Sequence, residues 1–166
     1  NNGYEYQQKF QFYLEKDGKK ELFLYDSHNS KKIGNYDNIE YFHDDIYALT
    51  NGCSTDIVNI TLDKDPRTII KNCHIIDDNY QGIIFSQKTV LNNELLGMYY
   101  FDENNYYNNI IKATHDSFKP HGKYLYEVED NKKKGMYFLG KLIIPIEYED
   151  ITLSYSSEYK NIDDAN

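Results

Sequence analysis

Apolar residues in this chain arrive in short bursts. Phe10–Leu14, Leu22–Tyr25, Ile46–Leu49, Ile83–Phe85, Met98–Phe101, Tyr124–Val128 and Met136–Leu139 are each bounded by glycines or polar residues. Runs this short, set between turn-forming residues, predict strands, and no stretch sustains the periodicity of an amphipathic helix. Alternation within the strands separates two faces. Leu22, Leu24, Ile60, Leu62, Met98, Tyr100, Met136 and Phe138 make one apolar side, read as core. Phe23, Tyr25, Tyr99, Phe101 and Tyr137 lie on the opposite side. An all-β fold of antiparallel strands follows.

The bursts recur. Gly97-Met98-Tyr99-Tyr100-Phe101-Asp102 returns 38 residues later as Gly135-Met136-Tyr137-Phe138-Leu139-Gly140. Twice that interval upstream stands Glu21-Leu22-Phe23-Leu24-Tyr25-Asp26, with Asn59-Ile60-Thr61-Leu62-Asp63 as a degenerate copy between. Each first strand leads to an Ile-rich strand with a ring four residues on: Ile69-Ile70 to His74, Ile110-Ile111 to His115, Ile143-Ile144 to Tyr148. A third strand closes the unit, at Ile46–Leu49, Ile83–Phe85 and Tyr124–Val128, ending in Asn51-Gly52, Gln87-Lys88 and Glu129-Asp130-Asn131. Phe10–Leu14 before Asp17-Gly18 reads as the third strand of a preceding unit. The pattern predicts one domain over residues 1–162: a partial unit at 1–20, three-stranded meanders at 21–55, 56–94, 95–133 and 134–162, and a frayed tail at 163–166. A unit of three strands is too small to bury its own apolar face, so neighbours must stack into a curved array, barrel-like or solenoid-like.

Here the residues carry a resemblance. Lys134-Gly135-Met136-Tyr137-Phe138, followed by Leu142-Ile143-Ile144-Pro145-Ile146-Glu147-Tyr148-Glu149-Asp150-Ile151, resembles a tryptophan–glycine (WG, or KWG) repeat. In that family an aromatic–Gly strand leads to an apolar strand ending in Pro-x-x-Tyr-Asp-x-Ile. Leu24-Tyr25-Asp26, Tyr36-Asp37-Asn38-Ile39 and Asn51-Gly52 are similar to it in the first unit. The chain departs from the family in having no Trp, and Pro145 has no counterpart in the other units. The resemblance implies a mostly bacterial β-repeat that mediates interactions, with no catalytic residues to carry over, and it favours a secreted or cell-surface setting within a larger protein.

Composition narrows the function classes. The 18 Ile and 18 Tyr favour strands, the 18 Asn favour turns, and Ala, the best helix former, occurs three times. A net charge of -9 argues against a binder that tracks nucleic-acid phosphates, and suits a basic protein or peptide partner. No apolar run is long enough for a membrane-spanning helix. Cys53 and Cys73 allow at most one bridge, and two unpaired thiols with at least one buried is the simpler expectation.

Candidate chemistry is sparse. His43-Asp44-Asp45 and Asp77-Asp78 are expected in turns before third strands, where carboxylates can hold a hard cation but more simply face water. His74 and His115 share a slot with Tyr148, which demands a flat ring with a polar edge rather than acid–base chemistry. Lys132-Lys133-Lys134 reads as a solvated hairpin loop. No catalytic site, metal or cofactor is expected. The row Phe23, Tyr25, Tyr99, Phe101 and Tyr137 is either a solvent-facing surface for a protein or peptide, or is covered by a second layer. A non-enzymatic interaction module is the leading expectation; an acidic inhibitor or immunity-type protein that blocks a basic toxin or nuclease is the alternative.

Overall fold

A computed structural model describes residues 9–42, 45–79, 82–101, 110–122 and 124–154. Among these the fold is all-β and antiparallel, with no helix and no closed barrel. Within each sheet successive strands pair with their chain neighbours. β1 (Phe10–Lys16), β2 (Lys19–Tyr25) and β3 (Ser30–Tyr36) form one sheet. β4 (Asn38–Tyr41), β5 (Ile46–Asn51), β6 (Ser54–Asn59), β7 (Arg67–Asn79), β8 (Gly82–Lys88), β9 (Glu94–Tyr100) and β10 (Ile110–His115) form a second. β11 (Ser117–Gly122), β12 (Leu125–Asp130), β13 (Lys133–Phe138) and β14 (Lys141–Tyr148) form the third.

Tight turns set the register. Asp17-Gly18, Asn131-Lys132 and Leu139-Gly140 have positive φ at both residues, the backbone twist that suits two-residue hairpins. Counting back from such a turn fixes which residues face each other: Lys16 meets Lys19, and Phe12 meets Phe23. The first strand of the second unit differs from expectation for this reason. Gly52, at φ +57, turns the chain at Gly52-Cys53, so the strand is Ser54–Asn59 rather than Asn59–Asp63.

The strands that follow these hairpins are long and interrupted. β3 and β4 are separated by Asp37, just after Asn35 at φ +70, and β10 and β11 by Asp116. β7 runs unbroken for 13 residues, but Asn72 adopts φ +51 near the point where the strand changes partner, from β6 between Arg67 and Cys73 to β8 between His74 and Asn79. Asn tolerates this left-handed backbone better than most residues. Asp77 and Asp78 therefore lie in β7, opposite Ile84 and Ile83, and not in a turn.

Each interruption lets the meander turn one layer onto the next. Leu22 and Leu24 of β2 pack on Tyr47, Leu49 and Val58. Ile57 of β6 packs with Ile83 and Phe85 of β8, and Met98 and Tyr100 of β9 with Tyr126 of β12. The expected core side is thus buried at Leu22, Leu24, Ile60, Met98, Tyr100 and Met136, while Phe138 is exposed. Both cysteines are free; Cys73 is in the core, where burial pushes its thiol up to about 11, and Cys53 is at the surface.

Candidate interaction surface

The five aromatic positions picked out by alternation do not form one exposed row. Tyr99 and Phe101 are only 9 % and 7 % exposed, inside the cluster built on Ile57, Ile70, Ile83 and Phe85. They meet edge-on at 5.9 Å, and Phe42 lies 6.4 Å from Phe101. Tyr137 is half-buried against the Met98 and Tyr126 group, and burial, then the Asp130 charge, raises its hydroxyl pKa. The reason is layering: the side of β9 opposite Met98 is covered by β5, β6 and β7 folding back across the bend at Asn72. Aromatic alternation cannot reveal which neighbour covers a face.

Phe23 and Tyr25 stand apart from that burial. On the β1–β2 hairpin, Phe10 is opposite Tyr25 and Phe12 opposite Phe23, so all four rings share one face. Ring centroids are 6.3 Å apart for Phe10–Phe12, 6.4 Å for Phe10–Tyr25 and 6.2 Å for Phe12–Phe23. Phe10, Phe12, Leu14 and Tyr25 are 42–47 % exposed, and Phe23 is half-buried among them. Lys32 closes the patch with a 2.8 Å bond to Glu21. Phe10, Phe12 and Leu14 were not among the predicted site residues, although counting back from Asp17-Gly18 pairs both phenylalanines with predicted ones.

Exposed apolar residues also gather at the other end of the chain. Phe138, Leu142, Ile143 and Tyr148 are exposed, and a groove lined by Ile143, Ile144, Pro145, Tyr148, Asp150 and Ile151 opens beside β14. Between the two ends, several polar groups are engaged with one another. Asp26 accepts the His28 and Asn29 backbone N–H groups, each at 2.7 Å, and these hold its carboxyl below the ordinary range. His115 is buried with Nδ1 2.9 Å from Asp130, its ring edge-on to Phe118 and Tyr137. His121 Nε2 is 2.9 Å from Glu127, and Lys134 bridges Glu127 at 3.4 Å and Asp150 at 2.9 Å. Burial alone would raise the Glu127 carboxyl, but the bonds from His121 and Lys134 outweigh it and hold it low.

The slot expected to hold a ring in every unit divides: His115 is buried, His74 half-buried and Tyr148 exposed. Lys134, placed by the sequence in a solvated loop, is instead in β13. Asp45 is described; His43 and Asp44 lie outside the described residues. Among the described residues no three His, Cys, Asp or Glu side chains gather as a metal site would require, and no helix is long and apolar enough to cross a membrane. Compared with protein-family models, with curated proteins and with solved structures, the chain matches none.

Proposed function

We propose that this chain is a non-enzymatic protein-interaction module built of tandem, WG-like β units, part of a larger bacterial protein, and that it recognises its partner through Phe10, Phe12, Phe23 and Tyr25. One observation carries the reading: four aromatic rings gathered on one hairpin face, three of them open to water. Aromatic side chains offer large contact area with few torsions to freeze, and they dominate binding energy at interface centres. Surrounding Lys and Glu side chains make a polar rim, and the net charge of -9 favours a basic partner overall.

Repeated polar contacts support the tandem reading. Lys19 bonds Asp37 and Lys20 bonds Asn38 in the first unit; Lys133 bonds Glu149 and Lys134 bonds Asp150 in the last. The Asp37 N–H donates to the Thr50 carbonyl, and the Asp116 N–H donates likewise to Glu129. Asp37 accepts the N–H of Gly52 in the next hairpin turn at 2.6 Å, and Asp116 accepts that of Asn131 at 2.8 Å.

The test is photocrosslinking in cells, with a benzophenone amino acid at position 12 or 25 and a control at Leu91, which is exposed in the loop before β9. Positions 12 and 25 should give a discrete protein adduct that Leu91 does not. No adduct, or the same adducts from all three positions, would sink the proposal. Phe12→Ser and Tyr25→Ser should meanwhile cost under about 1 kcal/mol of stability, as exposed positions do.

A further inference from the structure

The two ends of the described chain complement each other. In the second and third sheets the strands that close the expected units have a partner on both edges: β5 lies between β4 and β6, β8 between β7 and β9, and β12 between β11 and β13. β1 occupies the same place before its own turn, yet among the described residues it pairs only with β2. Its register with β2 has no bulge, and β1 contains no Pro, so the open edge is straight. Straight open edges readily accept a further strand. A groove of ≈ 390 Å³ runs beside it, lined by Tyr13, Leu14, Glu15, Ile39 and Tyr41 among others.

The missing strand exists at the other end. Tyr148-Glu149-Asp150-Ile151 follows β14 as Tyr36-Asp37-Asn38-Ile39 follows β3 and as His115-Asp116-Ser117-Phe118 follows β10. The segment after Asp37 pairs as β4 with β5, and the segment after Asp116 pairs as β11 with β12. Residues 150–154 are described but belong to no sheet. In them Ile151 and Leu153 are half-buried while Thr152 and Ser154 are exposed, the alternation of a strand.

We propose that residues 150–154 of one copy add to the open edge of β1 in a second copy, joining chains head to tail. The register follows from the chain's own joints. Ile39 faces Leu49 and Tyr41 faces Tyr47; Phe118 faces Val128 and Pro120 faces Tyr126. By the same count Ile151 faces Leu14 and Leu153 faces Phe12. Glu147, Glu149 and Asp150 lead the tail, while around β1 Lys9, Lys16, Lys19 and Lys20 balance Glu15, Asp17, Glu21 and Asp45, so the register rather than net charge argues for this occupant. Asp150 would face Glu15, a like-charge pair, but Lys20 lies across from Glu15 and Lys134 already holds Asp150. The joint covers Phe12 and Leu14, so it rests on the reading of that face as a contact surface and puts a second copy, rather than a basic partner, on it. Among the described residues each added copy brings a further β1 edge and a further tail, so the contact does not close.

Sedimentation of the 166-residue chain tests this. Over roughly three decades of concentration the average mass should climb without a plateau at the dimer. Two variants block one end each. In β5 the carbonyls of Ile46 and Thr50 point to β4, so in β1 the backbone groups of Gln11, Tyr13 and Glu15 point to the open edge. Tyr13→Pro therefore removes an edge donor while keeping the β1–β2 ladder, and Leu14→Lys is a second block at the same end. Ile151→Lys blocks the tail. Each blocked chain alone should be a monomer, and an equimolar mixture of one head-blocked and one tail-blocked chain should give a dimer and nothing larger. A wild-type chain that stays monomeric overturns the proposal, as does a mixture that forms no dimer or blocked chains that still assemble alone. A monomeric chain whose position 12 nevertheless crosslinks to a different protein would overturn this inference while leaving the interaction module standing.

Discussion

Leu14, Leu49 and Val128 each stand three residues before their hairpin turn, on β1, β5 and β12, yet Leu14 is 45 % exposed while Leu49 is 5 % and Val128 0 %. Two residues earlier the contrast repeats: Phe12 is 47 % exposed, Tyr47 1 % and Tyr126 2 %. Local sequence does not separate them, since all six are large and apolar. What differs is the neighbour. β5 has β4 on its edge and Leu22 and Leu24 of the first sheet over its face; β12 has β11 and the Met98–Tyr100 face of β9. β1 is at the end of its sheet, with no layer before it among the described residues. The same hairpin pattern is core in one place and exposed apolar surface in another.

The largest expected effect probes that contrast directly. Tyr47→Ala should cost about 3–5 kcal/mol in urea unfolding, the usual loss for a large buried ring, whereas Phe12→Ala in the dilute chain should cost under about 1 kcal/mol. Equal costs would mean the two hairpins are covered alike, and the contact surface would be lost.

A middle-sized effect should be the same in both hairpins. Gly18 and Gly52 have φ of +71° and +57°, and a Cβ at either would meet open space. Gly18→Ala and Gly52→Ala should each lose about 1–2 kcal/mol, the strain of a left-handed backbone with no clash added. A cost at Gly52 alone would show that the turns depend on the layers around them rather than on local geometry.

The smallest effect concerns the cap that β1 lacks. The Gly52 N–H and then Lys19 hold the Asp37 carboxyl below its ordinary range. Its contribution is therefore complete above the usual carboxylate pKa of about 4 and is lost as pH falls through the lower, folded value. Asp37→Asn should leave the melting temperature near wild type at low pH, and flatten its decline between about pH 5 and about pH 3. An unchanged pH profile would remove Asp37 as a charged cap of the β5–β6 hairpin.

Much of the fold was legible because strand and turn signals are local. The bursts at Phe10–Leu14, Ile46–Leu49, Ile83–Phe85 and Tyr124–Val128 lie in or overlap β1, β5, β8 and β12, and Asp17-Gly18 is the first turn. The strand expected at Asn59–Asp63 was misplaced because Ile60 and Leu62 mimic a strand, while the real one, Ser54–Asn59, is mostly polar and is fixed by Gly52. The candidate surface was legible in part. Phe23 and Tyr25, picked out by alternation, lie on the exposed hairpin face; Phe10 and Phe12 were visible as strand residues but not as their partners; Tyr99 and Phe101, read as either surface or covered, are buried.

Sequence alone determined that this chain makes short antiparallel strands, because alternation, β-branched and aromatic residues and positive-φ turn residues act within a few positions of one another. It also determined that the strands at Leu22–Tyr25, Met98–Phe101 and Met136–Leu139 carry apolar residues on both faces. Only the tertiary structure decided which faces are buried, because that depends on where Asn35, Asn72 and Asp116 let the long strands pass from one layer to the next, and so on which strand lies over which. An aromatic face is core when a previous layer covers it. At β1 none does among the described residues, and the rings of Phe10, Phe12 and Tyr25 stay in water.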